Sequence, residues 1–267
     1  MPTDLLAQAE DLWLCIAPML PGFTVEVLPS VDSTNSELMR RARAGSMDPV
    51  LLIAQSQTAG RGRLGKQWHS HAGQSLTFSL ALPLNPGNWS GLSLAVGVSL
   101  AESLHADVRI KWPNDLWLQG RKLGGILVET AHTGQGSASQ RMVVIGAGIN
   151  IARPSLSDVS TEALPAHGMA PVAPAGLAEV CMGQTAGETL RLLAPALVRD
   201  VQTFEAHGFA AFAERFARRD ALLGLPVRLS DGTQGKACGV NASGALQVQT
   251  ADGLQSVTSS EVSVRPC

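Results

Sequence analysis

The order of apolar and polar positions along the chain predicts helices and strands that follow one another without a regular β–α–β repeat. Some segments have apolar side chains at helical spacing, whereas others are short apolar runs bounded by glycine, proline and polar turn residues. The pattern therefore indicates an α+β fold. The predicted helices span residues 3–19, 34–44, 90–105, 177–206 and 209–222, and the predicted strands span residues 23–28, 50–55, 75–82, 108–112, 123–130 and 142–151.

The C-terminal part of the chain has a different pattern. Composition changes at Gly224-Leu225-Pro226, and from Val227 to Val264 short β runs alternate with turn signals such as Asp252-Gly253. This alternation predicts a small antiparallel barrel of about five strands. We therefore place one domain at residues 1–223 and a small β-barrel domain at residues 224–267.

The stretch from Ala152 to Pro174 is rich in proline, serine and alanine. A connection of this length and composition inside a compact domain is typical of a functional loop. We expect it to form a mobile connection or a lid.

Composition and charge narrow the function classes. The chain has 267 residues, 45% of them hydrophobic, and its 20 Lys and Arg against 22 Asp and Glu give a net charge of −2, so neither a disordered protein nor a nucleic-acid coat is indicated. The four cysteines form no Cys-x-x-Cys pair, which favours free thiols in the cytoplasm. The first twenty residues lack Lys and Arg, and no apolar run approaches the roughly 18 residues of a membrane span, so neither export nor a membrane location is expected.

A glycine-rich basic segment lies between two predicted strands. From Gly60 to Trp68 it carries the cations Arg61, Arg63 and Lys66 among glycines that let a ligand approach the backbone closely. Binding of phosphate or carboxylate is the natural use of such a loop, although a merely solvated basic loop would have the same composition. It is not a Walker phosphate loop, because Lys66 is not followed by Ser or Thr in the required frame.

Polar side chains also gather at the start of the second predicted helix. Thr34 and Glu37 match the Thr-x-x-Glu capping box, which predicts that Thr34 is the N-cap. The preceding Asp32-Ser33 adds further hydrogen-bonding groups at the same helix end. This segment is therefore expected to present several neutral donors and acceptors together.

The segment Lys111 to Asp115 follows a predicted strand and contains a proline. Asn114 and Asp115 should therefore occupy an exposed turn, where their oxygens could hold Mg²⁺ or a ribose. Asn-Asp is also a common turn pair with no ligand at all, and that simpler interpretation stays open.

Two glycine pairs interrupt predicted strands. Gly124 and Gly125 follow Lys122 at the tip of a predicted hairpin, and Gly146 and Gly148 share one face of the last strand before the lid. A ligand passing over the sheet would explain both pairs, and a β-bulge is the alternative for the first. The second pair predicts a slot for a flat ligand. It is not a dinucleotide fingerprint, because the third glycine and the following helix are absent.

Taken together and in this order, five segments resemble the biotin protein ligase family: 32–35, 57–68, 111–115, 122–129 and 146–150. The resemblance implies a mixed, largely antiparallel sheet flanked by helices, of the class II aminoacyl-tRNA-synthetase-like type found in biotin and lipoate ligases. It also implies a C-terminal Src-homology-3-like barrel. Since the first motif begins at Asp32, the chain resembles the short form of the family, which lacks the N-terminal DNA-binding domain, and no operator binding is expected.

The resemblance implies a two-step reaction. Biotin and ATP form biotinyl-5′-AMP and diphosphate, and an acceptor lysine then takes the biotinyl group. Each pair of like unit charges about 4 Å apart costs roughly 4 kcal/mol at an effective dielectric near 20, so cations must offset the approach of carboxylate to phosphate. By similarity to the family, Arg61, Arg63 and Lys122 are the catalytic cations.

The remaining site residues are also carried over by resemblance. The residues expected to bind biotin are Ser33, Thr34, Asn35, Gln57, Gly60, Arg61, Gly62, Arg63, Trp68, Lys122, Gly125 and Gly146. Those expected to bind ATP are Arg63, Lys66, Trp68, Lys111, Asn114, Asp115, Lys122, Gly148 and Asn150. Mg²⁺ is expected with ATP, and Asp115 is its candidate ligand. Lys66 departs from the arginine often found in the family, which leaves the charge but removes the bidentate fork.

The expected acceptor is a biotin carboxyl carrier protein of acetyl-CoA carboxylase or a related carboxylase, and the chain is expected to be a monomer or a weak homodimer. One rival function is a lipoate or octanoate ligase, but the polar set Ser33, Thr34 and Gln57 suits a ureido ring better than an apolar acyl chain. A second rival is a non-catalytic biotin sensor. Biotin binding without ATP turnover would distinguish it from an enzyme.

Overall fold

A computed structural model of the protein describes residues 3–133, 140–155, 173–258 and 264–266. Five α-helices lie in these ranges: α1 Thr3–Ile16, α2 Thr34–Arg43, α3 Leu92–Leu104, α4 Ala186–His207 and α5 Ala213–Ala217. Twelve strands accompany them: β1 Thr24–Val31, β2 Val50–Gln57, β3 Ser75–Pro83, β4 Val108–Lys111, β5 Asp115–Leu118, β6 Arg121–Thr133, β7 Gln140–Asn150, β8 Pro226–Leu229, β9 Gln234–Val240, β10 Leu246–Thr250, β11 Gly253–Val257 and β12 Val264–Pro266.

The first seven strands form one sheet in the order β1-β2-β3-β7-β6-β5-β4. Only β1 and β2 pair in parallel, and the other neighbouring strands are antiparallel. The sheet is therefore mixed and largely antiparallel, and it is flanked by helices. The α+β fold predicted from the sequence is confirmed.

The two faces of this sheet have opposite character. One face carries large apolar side chains, among them Leu76, Phe78 and Leu80 of β3, and packs into the main core with α1, α3 and α4. The other face has Ser75, Thr77 and Ser79 on the same strand, since successive residues of a strand point to opposite sides. Helix α2 covers part of this polar face, and the rest is available for a site.

The C-terminal strands form a separate antiparallel sheet in the order β11-β10-β9-β8-β12. It has the five strands that the turn signals predicted, and it begins at Pro226, two residues after Gly224. Val227, Ala237 and Leu246 are buried and join the same core cluster as the main sheet. The division into two domains at residue 224 stays a prediction.

Several predicted elements end elsewhere in the structure. The fourth helix was predicted from residue 177 but begins after Thr185, whose side chain forms a capping box with Glu188, and residues 177–179 form a short 3-10 turn. The predicted helix 209–222 is only a 3-10 turn followed by α5. Strand β5 was not predicted, because four residues beside a tight turn give too short a periodic signal.

Other expectations meet the structure only in part. Residues 156–172 of the predicted lid lie outside the described residues. Cys15, Cys181 and Cys238 are free thiols, as predicted, and Cys267 is outside the described part of the chain. Among the helices that the structure describes, none is both long and apolar enough to span a bilayer.

Candidate active site

A row of functional positions crosses the polar face of the main sheet. Strand register aligns Lys111 with Asp115, Asp115 with Gly125, Gly125 with Gly148, and Gly148 with Thr77. Residues paired in register point to the same side of a sheet. Segments that are far apart in sequence therefore meet on this one surface and can form a common site.

Asp115 lies at the centre of the cationic part of the row. Its Oδ1 is 2.8 Å from Lys122 Nζ, and its Oδ2 is 3.8 Å from Lys111 Nζ. Lys111 also lies over the ring of Trp117, 5.3 Å from the ring centre, which holds its stem in place. Lys122 is 45% exposed, so its ammonium group is held by Asp115 but can be reached from solvent.

Asn114 has a structural contact beside this cluster. Its side-chain Nδ2 donates to the main-chain carbonyl of Ile126 at 2.9 Å, and its main-chain carbonyl accepts from the Ile126 amide at 3.0 Å. Asn114 and Asp115 are half-buried rather than exposed, which corrects the predicted exposed turn. The double contact with β6 is the reason, because it draws the turn onto the sheet.

The start of α2 differs from the predicted capping box. The N-cap is Ser33, not Thr34: Ser33 has an extended backbone at φ −158°, and its Oγ accepts from the Ser36 amide at 3.4 Å. Glu37, predicted as the partner of Thr34, instead binds Arg40 and Arg41. The side chain of Thr34 is thereby available to the sheet.

A chain of hydrogen bonds joins α2 to three strands. Gln57 Oε1 accepts from the Thr34 amide at 2.7 Å and lies 3.2 Å from Thr34 Oγ1. Ser79 Oγ lies 2.7 Å from Thr34 Oγ1 and 2.6 Å from Asn35 Oδ1. Because an amide oxygen can only accept, Ser79 donates its single proton to Asn35, and this fixes the orientation of the Asn35 amide. Asn35 Nδ2 then donates to Glu129 Oε2 at 3.0 Å and approaches the Leu127 carbonyl.

The glycine-rich segment folds into a small hairpin. The Trp68 amide donates to the Gly60 carbonyl, the Gly62 amide donates to the Lys66 carbonyl at 2.7 Å, and Arg61 pairs with Gln67. A side chain at position 60 would overlap the Trp68 carbonyl and press on Gln57. Glycine is thus required at position 60 for the hairpin to close, whereas the sequence had indicated only that the glycines admit a ligand.

The three cations of this hairpin have different surroundings. Arg61 donates to Glu129 Oε1 at 2.7 Å and to Ser36 Oγ at 3.1 Å. Burial lowers the pKa of the Arg63 guanidinium, and the Asp115 carboxylate opposes that shift. Lys66 is exposed at the tip. Arg61 therefore points to Glu129, whereas Arg63 is half-buried and Lys66 faces solvent.

The predicted slot over Gly146 and Gly148 is filled by protein side chains, which corrects that expectation. A Cβ at position 146 would overlap the Asn35 amide, and one at position 148 would overlap the Trp68 ring. The flat group above Gly148 is thus Trp68 itself. Trp68 Nε1 is buried and has no hydrogen-bond partner among the described residues. The glycines make room for these two side chains against the sheet.

Asn150 and the end of the lid segment meet beside Lys122. Asn150 Nδ2 donates to the Ala175 carbonyl at 3.1 Å, and the Ala175 amide donates to the Lys122 carbonyl at 2.8 Å. Asn150 is buried, so its amide holds the returning chain in this structure. The predicted nucleotide contact of Asn150 has no support in these contacts and stays a prediction.

Ser79 and Glu129 were not among the site residues predicted from the sequence. Ser79 could have been found, because Ser75, Thr77 and Ser79 alternate within an otherwise apolar strand and so mark one polar face. Glu129 lies within a segment that carried the resemblance, but nothing in its spacing indicated that it would meet both Asn35 and Arg61. Those contacts depend on the register of β6 against β7.

The residues around Asp115 suit a metal ion that is bound partly by substrate better than one bound by protein ligands alone. Among the described residues, no three His, Cys, Asp or Glu side chains come together, so a cage built entirely from protein ligands does not fit this part of the chain. Mg²⁺ commonly uses one or two carboxylates together with substrate phosphates. Asp115, which faces two lysines, suits an ion that arrives with a nucleotide rather than a resident one.

Comparisons with known proteins agree with this geometry. The Biotin/lipoate A/B protein ligase family matches residues 27–150, and the Biotin protein ligase C terminal domain matches residues 222–265. The bifunctional ligase/repressor BirA of Escherichia coli is 38% identical over 94% of this chain and 77% of its own length. A biotin–[acetyl-CoA-carboxylase] ligase of Paracoccus denitrificans is 34% identical over 88% of this chain and 98% of its own length.

A solved structure shows the same fold. It is the biotin protein ligase from Aquifex aeolicus in complex with biotin and ATP, which has a TM-score of 0.70, 27% identity, and coverage of 91% of this chain and 99% of that one. Fold, segment order and sequence identity thus agree over nearly the whole chain. The chain belongs to the biotin protein ligase family, and its ATP-dependent ligase function is the one that the sequence predicted.

Proposed function

We propose that this site joins biotin to ATP on the polar face of the main sheet and then passes the biotinyl group to a lysine of a carrier protein. The observation that carries the proposal is the arrangement of two neighbouring groups on that face. Neutral hydrogen-bonding side chains gather around Thr34, and cations gather around Asp115. Biotin has a neutral ureido ring at one end and a carboxylate at the other, so it suits both groups.

The neutral group would hold the ureido ring. Ser33, Thr34 and Gln57 offer donors and acceptors without net charge, and Asn35 is fixed by Ser79. A neutral ring that loses its water on binding needs such partners, because an unsatisfied buried polar group costs about 1–3 kcal/mol. Trp68 above Gly148 would form the apolar wall beside the ring system.

The cationic group would hold the reacting anions. Lys122 and Lys111 flank Asp115, and we infer that Arg63 of the hairpin joins them when ligands bind. We assign Arg63 and Lys122 to the biotin carboxylate and the α-phosphate, where they would offset repulsion in the ground state and charge that develops in the transition state. The carboxylate oxygen attacks the α-phosphorus, and diphosphate leaves. Lys111, Asn114, Lys66 and Asn150 stay predicted nucleotide residues.

Mg²⁺ belongs to the nucleotide substrate in this proposal. Asp115 would be the protein ligand of the metal that accompanies ATP, and Lys122 beside it would face the phosphates. The ion supplies charge neutralisation for the departing diphosphate. The protein residues supply position and the remaining positive charge.

In the second step, a neutral lysine amine of the acceptor attacks the biotinyl carbonyl, and AMP leaves as an amide bond forms. We propose a biotin carboxyl carrier protein as the acceptor, because relatives of this chain carry the name biotin–[acetyl-CoA-carboxylase] ligase. The cytoplasmic location, the lack of operator binding and the monomer or weak homodimer stay predictions.

The decisive experiment mixes the purified chain with ATP, Mg²⁺ and either biotin or lipoate. Diphosphate release is measured first, and the mass of a carrier-domain lysine is measured second. Biotin-dependent release followed by a biotinyl mass gain is the expected result. Activity with lipoate alone would establish the rival ligase, and biotin binding without diphosphate release would establish a sensor.

A further inference from the structure

The ion pair between Arg61 and Glu129 joins the glycine-rich hairpin to the main sheet. Arg61 Nη2 lies 2.7 Å from Glu129 Oε1, across 68 positions of sequence. We propose that Glu129 is a positioning residue that keeps the hairpin 60–68 closed over the site by holding Arg61. Arg61 is then an anchor of the hairpin rather than a ligand of the phosphates.

The internal hydrogen bonds of the hairpin are local, so its attachment to the sheet depends on side chains, Trp68 over Gly148 at its end and Arg61 near its start. The Gly62–Lys66 and Gly60–Trp68 hydrogen bonds shape the loop but do not attach its tip to another element. The tip is open to solvent, and Leu64 is 70% exposed at a positive φ of 55°. The Arg61 side chain, by contrast, reaches both Ser36 of α2 and Glu129 of β6.

A chain of hydrogen bonds that begins at Ser79 orients the Glu129 carboxylate for this role. Ser79 fixes the Asn35 amide, and Asn35 Nδ2 donates to Glu129 Oε2. The other carboxylate oxygen is thus aimed at Arg61. Glu129 is only 21% exposed, which favours a charge-assisted contact over a solvated one. Pocket and hairpin are coupled through one carboxylate.

A closed hairpin also has a purpose in the proposed reaction. Trp68, whose ring lies over Gly148, belongs to the same hairpin, so opening of the hairpin would withdraw this ring from the site. An activated acyl phosphate must be kept from water until the acceptor arrives. Glu129 should therefore slow the loss of the adenylate, and this part of the inference rests on the proposed function.

The first test needs no ligand and no activity. Trypsin cleaves after Arg and Lys, and the Arg63–Leu64 bond lies at the exposed tip, so its rate of cleavage reports on hairpin opening. Glu129→Gln keeps an oxygen for Asn35 but removes the charge that holds Arg61. We expect cleavage at this bond to become about threefold to tenfold faster, within the range of one partly exposed charged contact. Glu102→Gln, which weakens the Arg215 ion pair elsewhere, is the matched control and should leave the rate unchanged.

The second test distinguishes an anchor from a general loss of stability. Arg61→Gln also removes the Ser36 contact, so it should open the hairpin at least as much as Glu129→Gln, and the double variant should open it no further than Arg61→Gln. The preformed adenylate should dissociate faster by a similar factor in each. Unchanged cleavage in Glu129→Gln, additive effects in the double variant, or faster cleavage at all tryptic sites alike would overturn the proposal. A wild-type chain that forms no adenylate would refute the proposed function, and the cleavage measurement would still decide the role of Glu129.

Discussion

Trp112 donates its indole Nε1–H to the main-chain oxygen of Gly244, 3.0 Å away and 132 positions later in the chain. Trp112 is 1% exposed and lies between Lys111 and Asn114, within the segment that carries the cations of the site. Gly244 lies in the turn between β9 and β10, at φ +77°, and a Cβ there would press on Gly91. The C-terminal sheet therefore touches the cationic segment directly through one buried hydrogen bond.

Removing that bond should weaken ATP binding as well as stability. Trp112→Phe keeps an aromatic ring but leaves the Gly244 carbonyl without its partner, which we expect to lower the free energy of unfolding by about 2 kcal/mol. Since Lys111 and Asp115 lie on the same segment, KM for ATP should rise several-fold while KM for biotin changes little. Urea unfolding and initial rates of diphosphate release measure the two effects.

The control is a second tryptophan with the same kind of bond far from the site. Trp13 Nε1 donates to the Phe23 carbonyl at 3.0 Å between α1 and the start of β1. Trp13→Phe should lower stability without changing KM for ATP. Equal rises in KM for both variants would mean that the Trp112 effect is only a loss of stability.

Lys122 should matter for adenylation far more than for folding. Its side chain is 45% exposed and its ammonium group is held by Asp115, so Lys122→Ala removes no core packing. Diphosphate release should slow by about a hundredfold or more, as expected when a charged group acting on the transition state is lost. The unfolding midpoint should change little.

Arg121 is the matched control for this variant. It is the neighbouring cation, but its guanidinium binds Glu179 at 2.6 Å instead of Asp115. Arg121→Ala should retain most of the adenylation rate. Normal adenylate formation in Lys122→Ala would remove Lys122 from the mechanism.

Features with a local signal were predictable from the sequence. The glycine-rich basic loop, the Lys111–Asp115 segment and the five C-terminal strands each depend on residues that are close together in the chain, although the hairpin pairing within the loop was not predicted. The α+β class followed from the order of periodic segments. The joint order of the motifs then identified the family, which none of them could do alone.

Features that depend on register were not predictable. Gly146 makes room for Asn35, and Ser79 lies between Thr34 and Asn35, only because β3, β7 and β6 pair with one definite register. A shift by one residue would turn each side chain to the opposite face. The sequence therefore indicated a gap above the glycines, whereas the side chains that fill it come from α2 above Gly146 and from the hairpin above Gly148.

A methyl group at position 146 should therefore disturb both folding and biotin binding. Gly146→Ala should displace the Asn35 amide, break its contacts with Ser79 and Glu129, and lower the free energy of unfolding by about 1–3 kcal/mol, as overpacking does. Biotin affinity should fall as well, which calorimetry can measure. Gly87→Ala introduces the same methyl group where no atom lies within 4 Å and should be neutral in both respects. A neutral Gly146→Ala would show that Asn35 is free to move.

Asp32, which precedes the N-cap of α2, should make the stability of the protein depend on pH. Arg40 donates to both oxygens of Asp32, at 2.7 and 3.0 Å, and Asp32 Oδ1 also accepts from the Ser33 amide. The hydrogen bond from Arg40 is the main reason that the pKa of Asp32 falls from 3.8 to about 2. The folded state therefore binds this proton less readily than the unfolded state does.

The sign of the pH dependence follows from that shift. A carboxyl group whose pKa is lowered on folding stabilises the fold above its unfolded value, and the stabilisation is lost as pH falls through its folded value. The contribution of Asp32 should thus be complete above about pH 5 and disappear between 3.8 and about 2. Urea unfolding of wild type and Asp32→Asn across this range should show a stability difference that closes only in acid. Asp32 accepts from the amide of the N-cap Ser33. If the stability difference between wild type and Asp32→Asn stayed constant down to pH 2, this hydrogen bond, and not the charge of Asp32, would fix the start of α2.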